Sequence, residues 1–290
     1  MQGLAALDGR AAASIALKAA GYLAALLAIG GRIFAVLFPM APEDVRSVAR
    51  RVTLIACLCG ILLLLARLGL RAGRIAGMGL PGIADPMMLG FVWNSPFGAV
   101  VIWREAGYAI VLAALALQAR WLAVAGGVGV AVSFAQIGHV AGLEAPLLSV
   151  MLSLHVLIAG VWVAALLPLR RAADLAEGAA VLHRFGQVAV IGVSVLILAG
   201  MLLARSLVGS ASELIGTAYG VLLLTKVASV AGLLAFAAHN KLRLVPALVA
   251  GKPEGRARLR RSIGREVAVV GAILLVTAAF TTVTTPPVNM

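Results

Sequence analysis

Apolar residues run along this chain in long blocks, separated by short polar, glycine-bearing or proline-bearing segments. Eight blocks are long enough to cross a membrane, at about 13–38, 48–68, 97–119, 121–142, 148–169, 185–205, 216–238 and 265–285. About 20 residues suffice for a crossing, because ~30 Å of hydrocarbon is covered at ~1.5 Å of helical rise per residue. The blocks show no period-two alternation and are too long to be buried strands. The pattern predicts an all-α fold, an integral membrane bundle of about eight transmembrane helices forming a single transmembrane domain over 1–290. Gly192, Leu196 and Gly200 show the small-residue spacing that lets helices approach closely in lipid. The longest connection on its face is 69–96, where Pro81-Gly82 and Asp85-Pro86 mark turns and a short interfacial helix or a re-entrant piece is expected.

Composition narrows the class. The 290 residues are 62% hydrophobic and 12% charged, with a mean hydropathy of +1.07. A soluble domain carries about 25% charged residues, so a soluble globular protein is excluded, and so much apolar content excludes disorder. The net charge of +13 would suggest nucleic acid in a soluble chain, but here it reports topology. If eight helices alternate, fifteen basic residues fall on one side, eight of them between 239 and 265, against five on the other. The positive-inside rule then places both termini outside the cytoplasm, and the loop arginines read as retention signals and anionic-lipid contacts, with no nucleic-acid partner. The first block, interrupted by Lys18 and Arg32, is expected to be a retained, tilted helix and not a cleaved signal peptide. Trp93 and Trp121 fall at opposite interfaces as belt anchors.

With this orientation the four histidines divide into two pairs. His139 is near the outer end of the fourth block, and His155 lies about two turns into the fifth from the same face. A hairpin through Glu144 and Pro146 joins the two blocks, so the imidazoles can approach each other. Met151 precedes His155 by four residues and shares its helical face. Imidazole combined with thioether suits copper, and Met87 and Met88 in the outer connection are placed to recruit the ion. The alternative for the same residues is ordinary packing: histidines bonded across the bundle and a core methionine. His183 and His239, at the cytoplasmic ends of the sixth and seventh blocks, stand beside basic residues and read as headgroup-facing. Taken with the outer pair, they would instead give a histidine pair near each face, as in a transmembrane b-type cytochrome with bis-imidazole haem. A ligand-free membrane assembly factor is the third reading. Cys57 and Cys59 would project about 200° apart on a helix and read as small hydrophobes.

Charges inside the blocks are costly. A Lys or Arg at mid-membrane costs ~2.5–3.5 kcal/mol on insertion scales and normally faces a partner. Arg104 and Glu105 lie about two turns into the third block, and Lys226 is near the middle of the seventh. Glu105 is the carboxylate at matching depth, so a buried Glu105–Lys226 or Glu105–Arg104 pair is expected, or charges that act on an ion passing through. There is no Walker loop, dinucleotide fingerprint, HExxH or Gly-x-Ser-x-Gly, so no catalytic residues are expected and the chain does not read as an enzyme.

The carboxyl-terminal third resembles the copper resistance protein D family of bacterial inner-membrane proteins. The resemblance rests on His183-Arg184-Phe185-Gly186, Tyr219-Gly220 with Lys226, Asn240-Lys241-Leu242-Arg243 and Pro246, then Arg260-Arg261-Ser262, Glu266 and Pro286-Pro287. Upstream, Gly138-His139 and the run from His155 to Trp162 fit it as well. Gly186 stands where serine is expected and Lys241 where arginine is usual, and neither position touches the His/Met cluster. The resemblance implies an eight-helix protein of the bacterial cytoplasmic (inner) membrane that moves copper ions, Cu(I) or Cu(II), from periplasm toward cytoplasm. It also implies a small periplasmic copper-binding protein of the C type as partner.

Overall fold

Small residues decide where the helices touch. In the computed structural model, which describes residues 9–138, 140–141, 145–208, 210–252 and 254–283, the helix α1 (Gly9–Leu37) is the one around which the others gather. Its buried face is largely alanine and glycine, with Ile29 and Phe34 among them. A Cβ on Gly30 would lie 2.0 Å from the Gly160 carbonyl oxygen of α6 (Pro146–Ala172). One on Gly31 would lie 2.1 Å from Thr53 Oγ1 of α2 (Glu43–Ile75). Close backbone approach of this kind supplies the dispersion contacts that hold helices together where lipid removes the hydrophobic drive. Between them, α3 (Pro86–Trp93), α4 (Pro96–Ala116) and α5 (Arg120–Val132) complete the first half of the fold. The α4–α5 contact repeats the glycine device, with a Cβ on Gly126 falling 2.9 Å from the Gly107 carbonyl oxygen.

The second half consists of α7 (Gly178–Leu207), the short α8 (Ala211–Gly216), α9 (Ala218–His239), α10 (Val245–Val249) and α11 (Gly255–Val283). A wide π turn, Asn240–Leu244, joins α9 to α10. Helix starts follow local chemistry. Proline opens α3, α4 and α6 in the first turn, where its missing N–H costs nothing. The Asp85 carboxylate accepts the Met88 N–H at 2.8 Å, and Ser210 with Glu213 forms a capping box before α8.

Contacts along the helices fix their directions. Tyr22 meets Phe134 and Lys18 meets Thr281 at one end, while Phe38 meets Phe185 and Arg171 pairs with Asp44 at the other. His155 of α6 meets Leu196 of α7, and Tyr219 of α9 meets Phe280 of α11, so these neighbours run antiparallel. The long helices therefore alternate, giving a basic end that holds the 239–265 connection and an opposite end that holds α3. One apolar core runs from Ala25 on α1 to Leu274 on α11.

The fold is helical, with no strand among the described residues. Among the described residues seven helices are long and apolar enough to span a membrane. The stretch expected at 121–142 differs. Its helix, α5, has 13 residues, about 20 Å at the helical rise, and gives way to turns at 133–136. The Ser133 hydroxyl donates to the Val130 carbonyl at 2.5 Å, and Gly138 adopts a positive φ of 101°, so the chain leaves the helical path there. The expected outer connection also contains more helix than its turn residues suggest: α2 continues to Ile75, and a 3-10 turn (Leu80–Ala84) leads into α3.

Candidate functional site

His155 sits on α6, nine residues or about 14 Å from its first residue, at the end of the bundle that carries α3. Its Nδ1 lies 3.2 Å from the Leu196 carbonyl oxygen of α7. A carbonyl only accepts, so Nδ1 carries the proton and Nε2 keeps a free lone pair. Gly200 lies one turn beyond Leu196 and leaves room beside the ring: a Cβ there would be 3.4 Å from His155 Cε1. Metal-binding histidines are typically held in this way, with one nitrogen tied to a backbone oxygen and the other presented to the ion. Met151 is half-buried, four residues earlier on the same face of α6. Lys226 of α9 lies eight residues from that helix's start, at a similar depth, and within electrostatic reach of the His155 ring. It has no hydrogen-bond or ion-pair partner among the described residues.

His139 lies outside the described residues, as does Glu144 of the expected hairpin. Met87 and Met88 are both on α3, which packs on α2 and α4. Met87 is exposed, while Met88 turns inward against a small apolar cluster that includes Leu64 and Val92. Met151 and His155 thus lie one turn apart on α6, while the α3 methionines pack with α2 and α4. Among the described residues no three His, Cys, Asp or Glu side chains gather around one point.

The expected ion pairs do not form among the described residues. Arg104 and Glu105 are adjacent on α4, and adjacent helical residues point about 100° apart. Arg104, only 3% exposed, donates from Nε to Ser133 Oγ at 2.8 Å and stacks over the Phe134 ring at 4.2 Å. Glu105 Oε1 is buried with no hydrogen-bond partner among the described residues. The four ion pairs found there, Arg46–Glu43, Arg171–Asp44, Arg258–Glu254 and Arg260–Asp174, all involve residues of the basic end.

At that end, His183 accepts from the Gln187 amide one turn along α7, with the nitrogens 3.2 Å apart. His239 lines an open cleft of about 930 Å³ together with Arg243, Lys252, Arg258, Arg261 and Arg265. The Asn240 amide donates to the buried Glu266 carboxylate, tying the π turn to α11. Cys57 is buried, and Cys59 is exposed on the other side of α2, as their spacing predicts. Sequence reasoning missed the partners of the key side chains, Leu196, Gly200, Ser133 and Phe134. Gly200 alone carried a signal, as part of the small-residue spacing with Gly192.

Long apolar helices in alternating directions, with imidazole, thioether and charged groups held between them, define a multi-pass helical membrane protein. The family model for the copper resistance protein D-like N-terminal domain matches residues 7–150, and that for copper resistance protein D matches residues 179–280. The chain belongs to the copper resistance protein D family, whose work is copper resistance and transport at a membrane. No curated protein and no solved structure matches it. The two matched regions leave 151–178 between them, and Met151 and His155 stand in that interval on α6.

Proposed function

We propose that this chain carries copper ions inward across the bacterial inner membrane, as a carrier and not an enzyme, and that His155 and Met151 form its ion-accepting site with His139. The observation that supports this most strongly is the bond from His155 Nδ1 to the Leu196 carbonyl, which holds the ring and frees Nε2 for an ion. Exposed Met87, with Met88 beside it, would make first contact with the ion at the mouth. Thioether favours Cu(I) and imidazole accepts either oxidation state, which fits a site that receives copper from a small periplasmic copper-binding protein of the C type. Lys226 would keep binding weak enough for the ion to leave, since conduction needs a site that releases as readily as it captures. Arg104 and Glu105 stand on α4 and serve the fold more than the path.

Residues 1–290 act in this reading as one transmembrane unit, with the basic end in the cytoplasm and both termini in the periplasm. A reporter fused to the carboxyl terminus should be active only in its periplasmic form. The function itself is tested in proteoliposomes supplied with Cu(I) or Cu(II). Uptake should depend on the protein and fall about tenfold or more in His139→Ala/His155→Ala. Uptake unchanged in that double variant would overturn the site.

A further inference from the structure

At the end of the bundle that carries α3, four cations come together from three helices. Arg67 and Arg71, one turn apart on α2, both lie over the Phe97 ring of α4, at 5.5 and 4.6 Å from its centroid. Arg104 of α4 is fixed by Ser133 and Phe134. Phe134 also contacts Tyr22 at 5.4 Å, and the Tyr22 hydroxyl lies 3.3 Å from Thr281 Oγ1. Lys18 of α1 donates to the Thr281 carbonyl at 2.7 Å and to Thr282 Oγ1 at 3.2 Å. Arg67 is within electrostatic reach of Tyr22, Arg104 and Arg71, and Lys18 is within reach of both α2 arginines.

None of the four cations enters an ion pair among the described residues, although every ion pair found there has formed at the other end. The neighbouring carboxylate, Glu105, is within electrostatic reach of Arg104 but forms no ion pair with it, and one carboxylate cannot balance four cations. Charges at membrane depth are normally paired, so this excess of positive charge calls for an anion from outside the chain. Exposure grades along the cluster, from exposed Arg71 through half-buried Arg67 to buried Arg104, so the cations step inward from the membrane face. Guanidinium groups braced on aromatic rings present their N–H forks to a multi-oxygen acceptor, and phosphate suits three such donors better than a single carboxylate.

We propose that Lys18, Arg67, Arg71 and Arg104 form a phosphate-binding site, braced by Phe97 and Phe134, at the end of the bundle opposite the basic connection. The phosphate is that of a phospholipid headgroup or free inorganic phosphate.

Full-length protein, stripped of lipid in a neutral detergent, tests the site. Thermal unfolding is followed with added inorganic phosphate, phosphatidylglycerol or phosphatidylcholine at fixed ionic strength. Wild type should be stabilised by at least one phosphate source, and Arg71→Gln should need about tenfold more of it. Arg71 is exposed, so this variant folds, and Arg67→Gln/Arg71→Gln should abolish the response. Arg258→Gln, at the basic end, should respond as wild type does. Stabilisation by phospholipid alone, with a phospholipid retained in native mass spectra, identifies the headgroup; stabilisation by inorganic phosphate alone identifies the free ion. No stabilisation from any source, or an equal response in Arg67→Gln/Arg71→Gln, overturns the proposal.

Discussion

On Gly30 of α1 an added methyl group would sit 2.0 Å from a backbone oxygen of α6, whereas on Gly200 of α7 it would meet His155 at 3.4 Å, an ordinary contact. The difference extends to the helices around them. In the amino-terminal half, α1 meets α2 at Gly31 and α4 meets α5 at Gly107 and Gly126, and the buried Arg104 is fixed by a short bond and ring stacking. In the carboxyl-terminal half, α7 and α9 leave much of their surface exposed, as at Ile191, Leu198, Val221 and Val227. There the notable polar groups, the His155 Nε2 and the Lys226 ammonium, have no bonded partner among the described residues. The tight half is built as a scaffold. The looser half, with α6 at the seam, has the free imidazole nitrogen on which the proposed copper site rests.

The comparison breaks most visibly at Gly30. Gly30→Ala should cost more than about 3 kcal/mol, because neither backbone can yield cheaply, and should be read as loss of folded protein on size exclusion. Gly200→Ala should be neutral or slightly stabilising by the same measurement, since it gains helix propensity without a clash. Equal losses at the two positions would erase the distinction between the halves. Next in size is Ser133→Ala, which strips a hydrogen bond from the buried Arg104 and should lower stability by about 1–3 kcal/mol. His155→Ala should leave the unfolding midpoint within a few degrees while copper binding falls about tenfold or more, measured by titration in detergent. The smallest effect belongs to the exposed Arg258–Glu254 pair, where Glu254→Gln should change stability by less than about 0.5 kcal/mol.

The bundle was legible in the sequence because a membrane crossing leaves a signal about 20 residues long that no local detail can hide. Lengths were less legible. The apolar run past Trp121 hides Ser133, whose hydroxyl bonds the Val130 carbonyl where α5 ends. Likewise, Arg71 falls in the expected connection 69–96 although α2 carries it on to Ile75, and its spacing of four from Arg67 is the clue that the two share a face. Within the candidate site, Met151 and His155 were legible for the same reason: four residues along one helix. The Leu196 carbonyl was not, because which turn of α7 faces His155 depends on packing between helices and not on local spacing. Arg104 shows the limit from the other side. Sequence supplied a carboxylate at its depth, but adjacency on one helix turns Glu105 away, and a serine and an aromatic ring 29 and 30 positions later hold the guanidinium instead.

The helix α9 is fastened at two points. Near its start, Tyr219 lies against Phe280 with ring centroids 4.4 Å apart, and just past its end Asn240 is bonded to Glu266. Both anchors reach the same helix, α11; between them Leu233 enters the main core while Val221, Leu224 and Val227 are exposed. A beam supported at both ends does not swing on a hinge, and its span stays at a fixed height. Lys226 stands between the two fastenings, about 10 Å from one and 21 Å from the other along the axis. Both ends of α9 are thus held in register with α11, and Lys226 keeps one height along the bundle, set by those two anchors.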